Sequence, residues 1–345
     1  MALTIVEDRR AITGGVDTHA DMHVAAALDP IGGLLGVQEF PATAGGYARL
    51  LGWLGGFGTV ALVGIEGTGS YGAGLARFLA GRGERLLEVE RPARTGSRGR
   101  LKSDPLDALR AARAALAGQP LAQPRSGQQR EALRALVTTR EGAVAVRRAG
   151  LCQLRSLLVL LPEPQRNKLR GLSRSRLLAR CAALRPRPGD GQPLALRSLA
   201  RRVIAADQEA AQLEHAIRQQ ITKLAPTLLD QPGIGPITAA QLLISWSHPG
   251  RIRNEAAFAR LAGAAPIPAS SGNTLRHRLD RGGDRQLNRA LHTILLYRRH
   301  HDPTTNAYIQ RRRNDGKTDR EAIRCLKRYL ARSLYRHLEA MPPPT

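Results

Sequence analysis

The chain has 345 residues, with 53 Lys and Arg against 28 Asp and Glu, a formal net charge of +25 and 42% hydrophobic residues. That length holds two or three domains with real cores, and the charge excess suits a polyanionic partner. Aromatics at 3% exclude base stacking as the dominant mode of nucleic-acid contact. The cysteines, Cys152, Cys181 and Cys325, form no CxxC pair, which excludes a disulfide framework or a zinc ribbon. No apolar run approaches the roughly 18 residues of a membrane helix, and the N-terminus lacks the order of a signal peptide. The expectation is a cytoplasmic protein, nucleoid-associated when acting, with no membrane partner.

In chain order, residues 11–120 read as α/β. Strands are expected at Ala11–Val16, His23–Asp29 and Gly33–Phe40, then a helix at Thr43–Gly55 with Tyr47, Leu50, Leu51 and Leu54 on one face. A buried-type strand Thr59–Glu66, a helix Gly72–Gly81, a strand Arg85–Glu90 and an Ala-rich helix Asp104–Leu116 follow. This order predicts a mixed sheet flanked by helices. After a Pro/Gly linker at 117–127, two long helical patterns run over 128–161 and 194–224, with shorter pieces between them. They read as an antiparallel hairpin or coiled coil, within one chain or between copies. The stretch Leu228–Ala240 has the form of a helix-hairpin-helix turn, with Gly233 and Gly235 able to bring helix amides near a phosphate; a plain αα-hairpin would use the same glycines. The last 95 residues carry 20 Lys and Arg against 8 Asp and Glu and read as mainly helical, with a loop from Ala264 to Gly283. Three domains are expected, 1–120, 121–225 and 226–345.

Four acids stand out in this basic chain. Asp17 ends the first strand, Glu66 ends a later one, and Asp104 and Asp107 open a helix at i and i+3. A phosphodiester resists attack because it is anionic and its leaving alkoxide is basic; Mg²⁺, or Mn²⁺, neutralises both charges, and carboxylates on rigid strand ends are its natural ligands. Each acid also has a plainer reading. Asp104 could cap a helix begun by Pro105, Asp107 could serve the helix dipole, and Glu66 could face solvent. Their joint placement on one α/β unit favours the metal site.

The segments GVDTHADMHVAAALD, VGIEGTGSYGAGLARFL and KSDPLDALRAARAAL resemble the RuvC-like, RNase H-like DEDD domain of a bacterial insertion-sequence transposase family whose members are bridge-RNA-guided recombinases. The family's Asp, Glu, Asp-x-x-Asp order falls on Asp17, Glu66, Asp104 and Asp107. The segments LLDQPGIGPITAAQLL, FARLAGAAPIPASSGNTLRHRLDRGGDRQLNRALH and GKTDREAIRCLKRYLARSLYRHL resemble its serine-bearing second domain, so the likeness runs nearly the full length. It implies that Ser271, the serine before Gly272, attacks DNA to form a phosphoserine link; its neighbour Ser270 is the other serine of that loop. Arg276, Arg278, Arg281 and Arg285 follow closely and suit a phosphate, as does Lys102 ahead of the Asp-x-x-Asp pair. One departure is Leu101-Lys102-Ser103, where the family often has Gly-Lys before Ser-Asp.

The resemblance further implies donor and target DNA as substrates, a guide RNA from the element, a composite active site, and dimers that pair into tetramers. A RuvC-like nuclease or junction resolvase would use the four acids and leave Ser271 idle. A binding protein without catalysis would have no need of clustered acids that repel phosphate.

Overall fold

The computed structural model describes residues 10–89, 103–118, 122–268, 277–278 and 283–341. They form two compact units, Met1–Ser126 with Ser247–Asn254, and Gly127–Trp246 with Glu255–Thr345. The second unit joins the long helices to the C-terminal helices, so compactness divides the chain differently from sequence character.

The first unit is built on a five-stranded sheet. Strands β1 (Ala11–Thr18), β2 (Met22–Leu28) and β3 (Leu34–Pro41) are followed by helix α1 (Ala44–Phe57), β4 (Thr59–Glu66), α2 (Ala73–Ala80), β5 (Leu86–Val89) and α3 (Asp104–Leu116). The order across the sheet is β3-β2-β1-β4-β5. β1–β3 pair antiparallel, whereas β4 joins β1 and β5 joins β4 in parallel. The period of two sends Ile12, Val16, Val63 and Ile65 to one face, against Leu50 and Leu54 of α1 and Leu75 and Leu79 of α2. Val24, Ala26 and Leu28 cover the other face with Ala108 and Ala112 of α3.

Helix α3 lies unusually close to the sheet. A Cβ added at Gly15 would meet the backbone N of Ala112 at 2.0 Å and the backbone O of Ala108 at 2.4 Å. At Gly64 it would meet Ala111 O at 2.8 Å and Ala115 Cβ at 2.9 Å. Bare glycine on the strands and alanine on the helix let the two backbones touch, which fixes where the N-terminus of α3 falls.

The parallel edge strand β5 is covered by later chain. Glu88 bridges to Ala122, Arg251 Nη2 donates to Glu88 Oε2 at 3.1 Å, and Arg251 Nε donates to Gln123 O at 3.1 Å. Ser126 N also donates to Ser247 Oγ at 3.1 Å. Residues 247–254 thus return to the first unit and hold Glu88 and the 122–126 segment, whose Ala122 bridges the exposed edge of β5.

The second unit starts with α4 (Gln128–Val159), the short α5 (Glu163–Leu169) and α6 (Arg174–Ala182), and α7 (Gly191–Leu224). Arg140 Nη2 reaches Glu214 Oε2 at 2.7 Å and Arg147 Nη1 reaches Asp207 Oδ1 at 3.1 Å. Ascending numbers on α4 meet descending ones on α7, so the pair is an antiparallel hairpin within the chain. At 32 residues α4 is about 48 Å long. Next come α8 (Pro226–Leu229), α9 (Pro236–Trp246), α10 (Glu255–Leu261), the short strands β6 (Ile267–Pro268) and β7 (His277–Arg278), α11 (Arg285–His301), α12 (Pro303–Asn314) and α13 (Asp319–Glu339). Nearly all of α9 is buried, making it the central helix of this unit. β6 and β7 pair antiparallel, Ile267 with Arg278, so the loop expected at 264–283 opens as a narrow ribbon.

Candidate functional site

Asp17 and Glu66 reach the same side of the sheet for one reason. Residues 15 and 17 of β1, and 64 and 66 of β4, alternate away from the α1 face and toward α3. The last paired register between the two strands is Val16 with Ile65, so the acids follow one another at adjacent strand ends. Thr18 Oγ1 donates to the Glu66 backbone O at 2.9 Å and ties those ends together. Both acids are 3% exposed, so Glu66 is not a solvent-facing strand end.

Helix α3 brings the other pair. Its N-cap is Ser103, without a side-chain cap bond; Asp104 is the first helical residue and Pro105 the second. Asp104 therefore does not cap the helix. Its Oδ1 lies 3.5 Å from His19 Nε2, and its side chain is 48% exposed. Asp107, one turn on, is buried and accepts from Arg110 Nη1 at 2.5 Å.

His19 joins this cluster, and sequence reasoning did not single it out. Its Nε2 lies 3.2 Å from Asp17 Oδ2. One ligand atom each from Asp17, His19 and Asp104 lies within 4.8 Å of the others, the arrangement of groups that can share an ion. The signal was present: Asp17-Thr18-His19 at a strand end has the period of two that points both outer residues one way. Glu66 and Asp107 are not part of that triplet, although both are buried on the same unit. Burying a carboxylate such as Asp17 is costly unless a cation shares the site. The residues present fit a divalent ion: hard carboxylate oxygens, one buried on Asp17 and one exposed on Asp104, on elements held rigidly by backbone contact.

In the second unit, Ser270, Ser271, Arg276 and Arg281 lie outside the described residues, as does Lys102 in the first. Arg278 is placed as part of β7, and Arg285 is exposed at the start of α11. The feet of the serine-bearing loop are clasped. Asn288 Nδ2 donates to Ala262 O at 2.7 Å and Gly263 O at 3.3 Å, while Lys327 Nζ donates to Asn288 Oδ1 at 2.9 Å. Asp284 N donates to Leu261 O at 2.6 Å, and Asp284 caps α11 by accepting from Gln286 N and Leu287 N. Ser245 Oγ of the central helix α9 donates to Asp284 Oδ2 at 2.6 Å. Burial pushes the Lys327 ammonium below its ordinary pKa, and burial beside Lys327 lowers His292.

The glycine turn expected as a helix-hairpin-helix or a plain αα-hairpin lies between α8 and α9. The helix ahead of it, α8, is a single turn of four residues, and the helix after it is buried in the core. Gly233 has φ +78°, and a Cβ there would crowd Ile294 O at 3.0 Å and Tyr297 Cδ1 at 3.1 Å. A tight turn and close packing against α11 account for it. Gly235 is exposed, with its N–H donating to Thr238 Oγ1 at 3.0 Å.

Comparison with known proteins matches two family models and two relatives. Residues 14–161 match a family model described as Transposase, the DEDD transposase of IS110, and residues 225–310 match the Transposase IS116/IS110/IS902 family. The chain is also similar to an uncharacterized 43.6 kDa protein of insertion element IS110 from Streptomyces coelicolor, 34% identical over 145 residues, or 41% of this chain. A 42 kDa uncharacterized protein of insertion element IS900 from Mycobacterium paratuberculosis is 32% identical over 147 residues, or 40% of this chain. The chain spans about a third of each relative, 36% in both cases. No helix among the described residues is long and apolar enough to cross a membrane.

Proposed function

We infer that the chain, which belongs to the IS110/IS116 family of transposases by its matches over 14–161 and 225–310, cuts and rejoins DNA as the recombinase of an insertion sequence. The observation that carries this reading is the strand-end acid site: Asp17 and Glu66 on adjacent parallel strands, with Asp104 delivered beside Asp17 by a helix in backbone contact with the sheet. The sheet order, three antiparallel strands extended by two parallel ones, supports a RuvC/RNase H-like assignment for the first unit.

In this reading Asp17, Glu66, Asp104 and Asp107 hold Mg²⁺ or Mn²⁺. The bound ion would neutralise phosphate charge and favour departure of an alkoxide. Ser271 supplies the nucleophile. Its Oγ loses a proton and bonds to phosphorus, the P–O bond to one strand end breaks, and that leaving oxygen takes up a proton. Attack on the phosphoserine by the hydroxyl of another strand reverses these steps and frees Ser271, so the phosphodiester count is unchanged and no nucleotide hydrolysis is needed. Arg276, Arg278, Arg281 and Arg285, with Lys102, Gly233 and Gly235, are the proposed phosphate contacts. The +25 charge supports binding of donor and target DNA and of an element-encoded guide RNA, with the chain acting as dimers that pair into tetramers.

A RuvC-like nuclease acting without serine chemistry is the second reading, favoured by the acid site being contained in the first unit alone. In vitro recombination of element ends with target DNA separates the two. Ser271→Ala is expected to abolish joining while leaving divalent-metal binding intact. Recombination at the normal rate in Ser271→Ala overturns the serine mechanism.

A further inference from the structure

We propose that His19 is a ligand of the metal centre, and that its imidazole gives the centre a preference for Mn²⁺ over Mg²⁺ beyond that of an all-carboxylate site. The proposal rests on the metal reading above and adds a nitrogen donor that the four-acid motif does not contain.

Three observations carry it. First, the position is fixed by the fold. His19 N donates to Met22 O at 3.2 Å, closing the turn between β1 and β2, so the imidazole springs from a tight hairpin at the end of the strand that bears Asp17. Second, Nε2 sits between two acids from different elements, 3.2 Å from Asp17 Oδ2 and 3.5 Å from Asp104 Oδ1. Ligand bonds of about 2.1 Å put neighbouring donors about 3 Å apart, so these spacings are close to those of donors sharing one ion. Third, the side chain of His19 is 39% exposed while that of Asp17 is 4% exposed. The imidazole stands on the solvent side of a buried acid and can adjust to an arriving ion without rebuilding the core.

The chemistry then sets the preference. Mg²⁺ takes oxygen donors and gives up water reluctantly; Mn²⁺ stands on the series in which imidazole affinity rises across the transition metals. One nitrogen among carboxylates raises affinity for Mn²⁺ more than for Mg²⁺. The plainer reading, a turn histidine that bridges two acids by hydrogen bonds, predicts no nitrogen on the metal.

The test is pulsed EPR of Mn²⁺ on the full chain, which reads ¹⁴N coupling from a coordinated imidazole, together with Mn²⁺ and Mg²⁺ titrations. Wild type is expected to show strong ¹⁴N coupling. His19→Gln and His19→Ala are expected to lose it while still binding Mn²⁺, and the Mn²⁺ to Mg²⁺ affinity ratio is expected to fall about ten-fold. His19→Gln keeps a polar group in the turn, and its melting curve shows whether the fold is intact. Asp17→Asn is expected to remove the bound Mn²⁺. If His19→Ala keeps the ¹⁴N coupling and the affinity ratio while Asp17→Asn still removes Mn²⁺, the role of His19 is overturned and the metal centre stands. If Asp17→Asn and Asp104→Asn both leave Mn²⁺ binding unchanged, the metal reading falls and the proposal with it.

Discussion

In the first unit, backbone meets backbone: α3 lies on β1 and β4 over Gly15 and Gly64, and the acids at its N-terminus are placed by that contact. In the second unit the feet of the serine-bearing loop are held largely by side chains, with Asn288 grasping Ala262 and Gly263, Lys327 grasping Asn288, and Asp284 receiving Ser245, beside one backbone bond from Asp284 N to Leu261 O. The contrast matches the two proposed tasks. A metal centre needs donors fixed to a fraction of an ångström, which rigid elements supply. A loop that engages DNA needs anchored ends, which a polar clasp supplies.

The contrast can be broken where it should be most brittle. Gly15→Val forces a side chain into the backbone of α3, which has no flexible end to yield. It is expected to cost about 3 kcal/mol or more in urea unfolding of the first unit, and to weaken Mn²⁺ binding. A wild-type melting curve would show that α3 is not seated on β1. Saturating Mn²⁺ should act the other way. At about 100 times Kd it is expected to stabilise the first unit by about 2.7 kcal/mol, read as hydrogen-exchange protection of β1 and α3 with no change at α11.

Asn288→Ala tests the clasp. It leaves the half-buried Lys327 without its amide partner and is expected to cost about 1–3 kcal/mol. Faster proteolysis within 264–283 with unaltered metal binding is the expected signature; equal loss of both would erase the distinction between the two units. Arg140→Ala, which removes a partly exposed pair with Glu214 on the long hairpin, is expected to cost less than about 1 kcal/mol and to disturb neither site.

Much of the acid site is legible in the sequence. Val60–Ile65 is a continuous apolar run that reads as a buried-type strand, although only the second half of the strand, Val63–Glu66, is fully buried, and the sequence leaves open whether Glu66 faces solvent. The Ser103-Asp104-Pro105 start of an Ala-rich helix marks where α3 begins, although Ser103 rather than Asp104 takes the cap position. The glycines at 15 and 64 give no hint of their purpose, because close approach is a property of two elements and not of either alone. His19 is not marked by the sequence, because a histidine in a hairpin turn is commonplace; only its two-residue offset from Asp17 distinguishes it. The return of residues 247–254 to the first unit depends on Arg251 finding Glu88, a pairing across 163 positions that no local pattern encodes. The glycine turn at 233–235 is a local motif whose form suggests phosphate binding, while the need for glycine at 233 also comes from packing on α11, which no local pattern shows.

The central claim is that metal-holding acids of one unit and a serine of the other serve one reaction. The most direct measurement traps the covalent protein–DNA product formed by the full chain with element-end and target DNA and Mg²⁺ or Mn²⁺, and maps it by peptide mass spectrometry. The account predicts a phosphodiester link on Ser271 in the wild type and none in Asp17→Asn. A link on a different residue, or strand joining with no link at all, would contradict it.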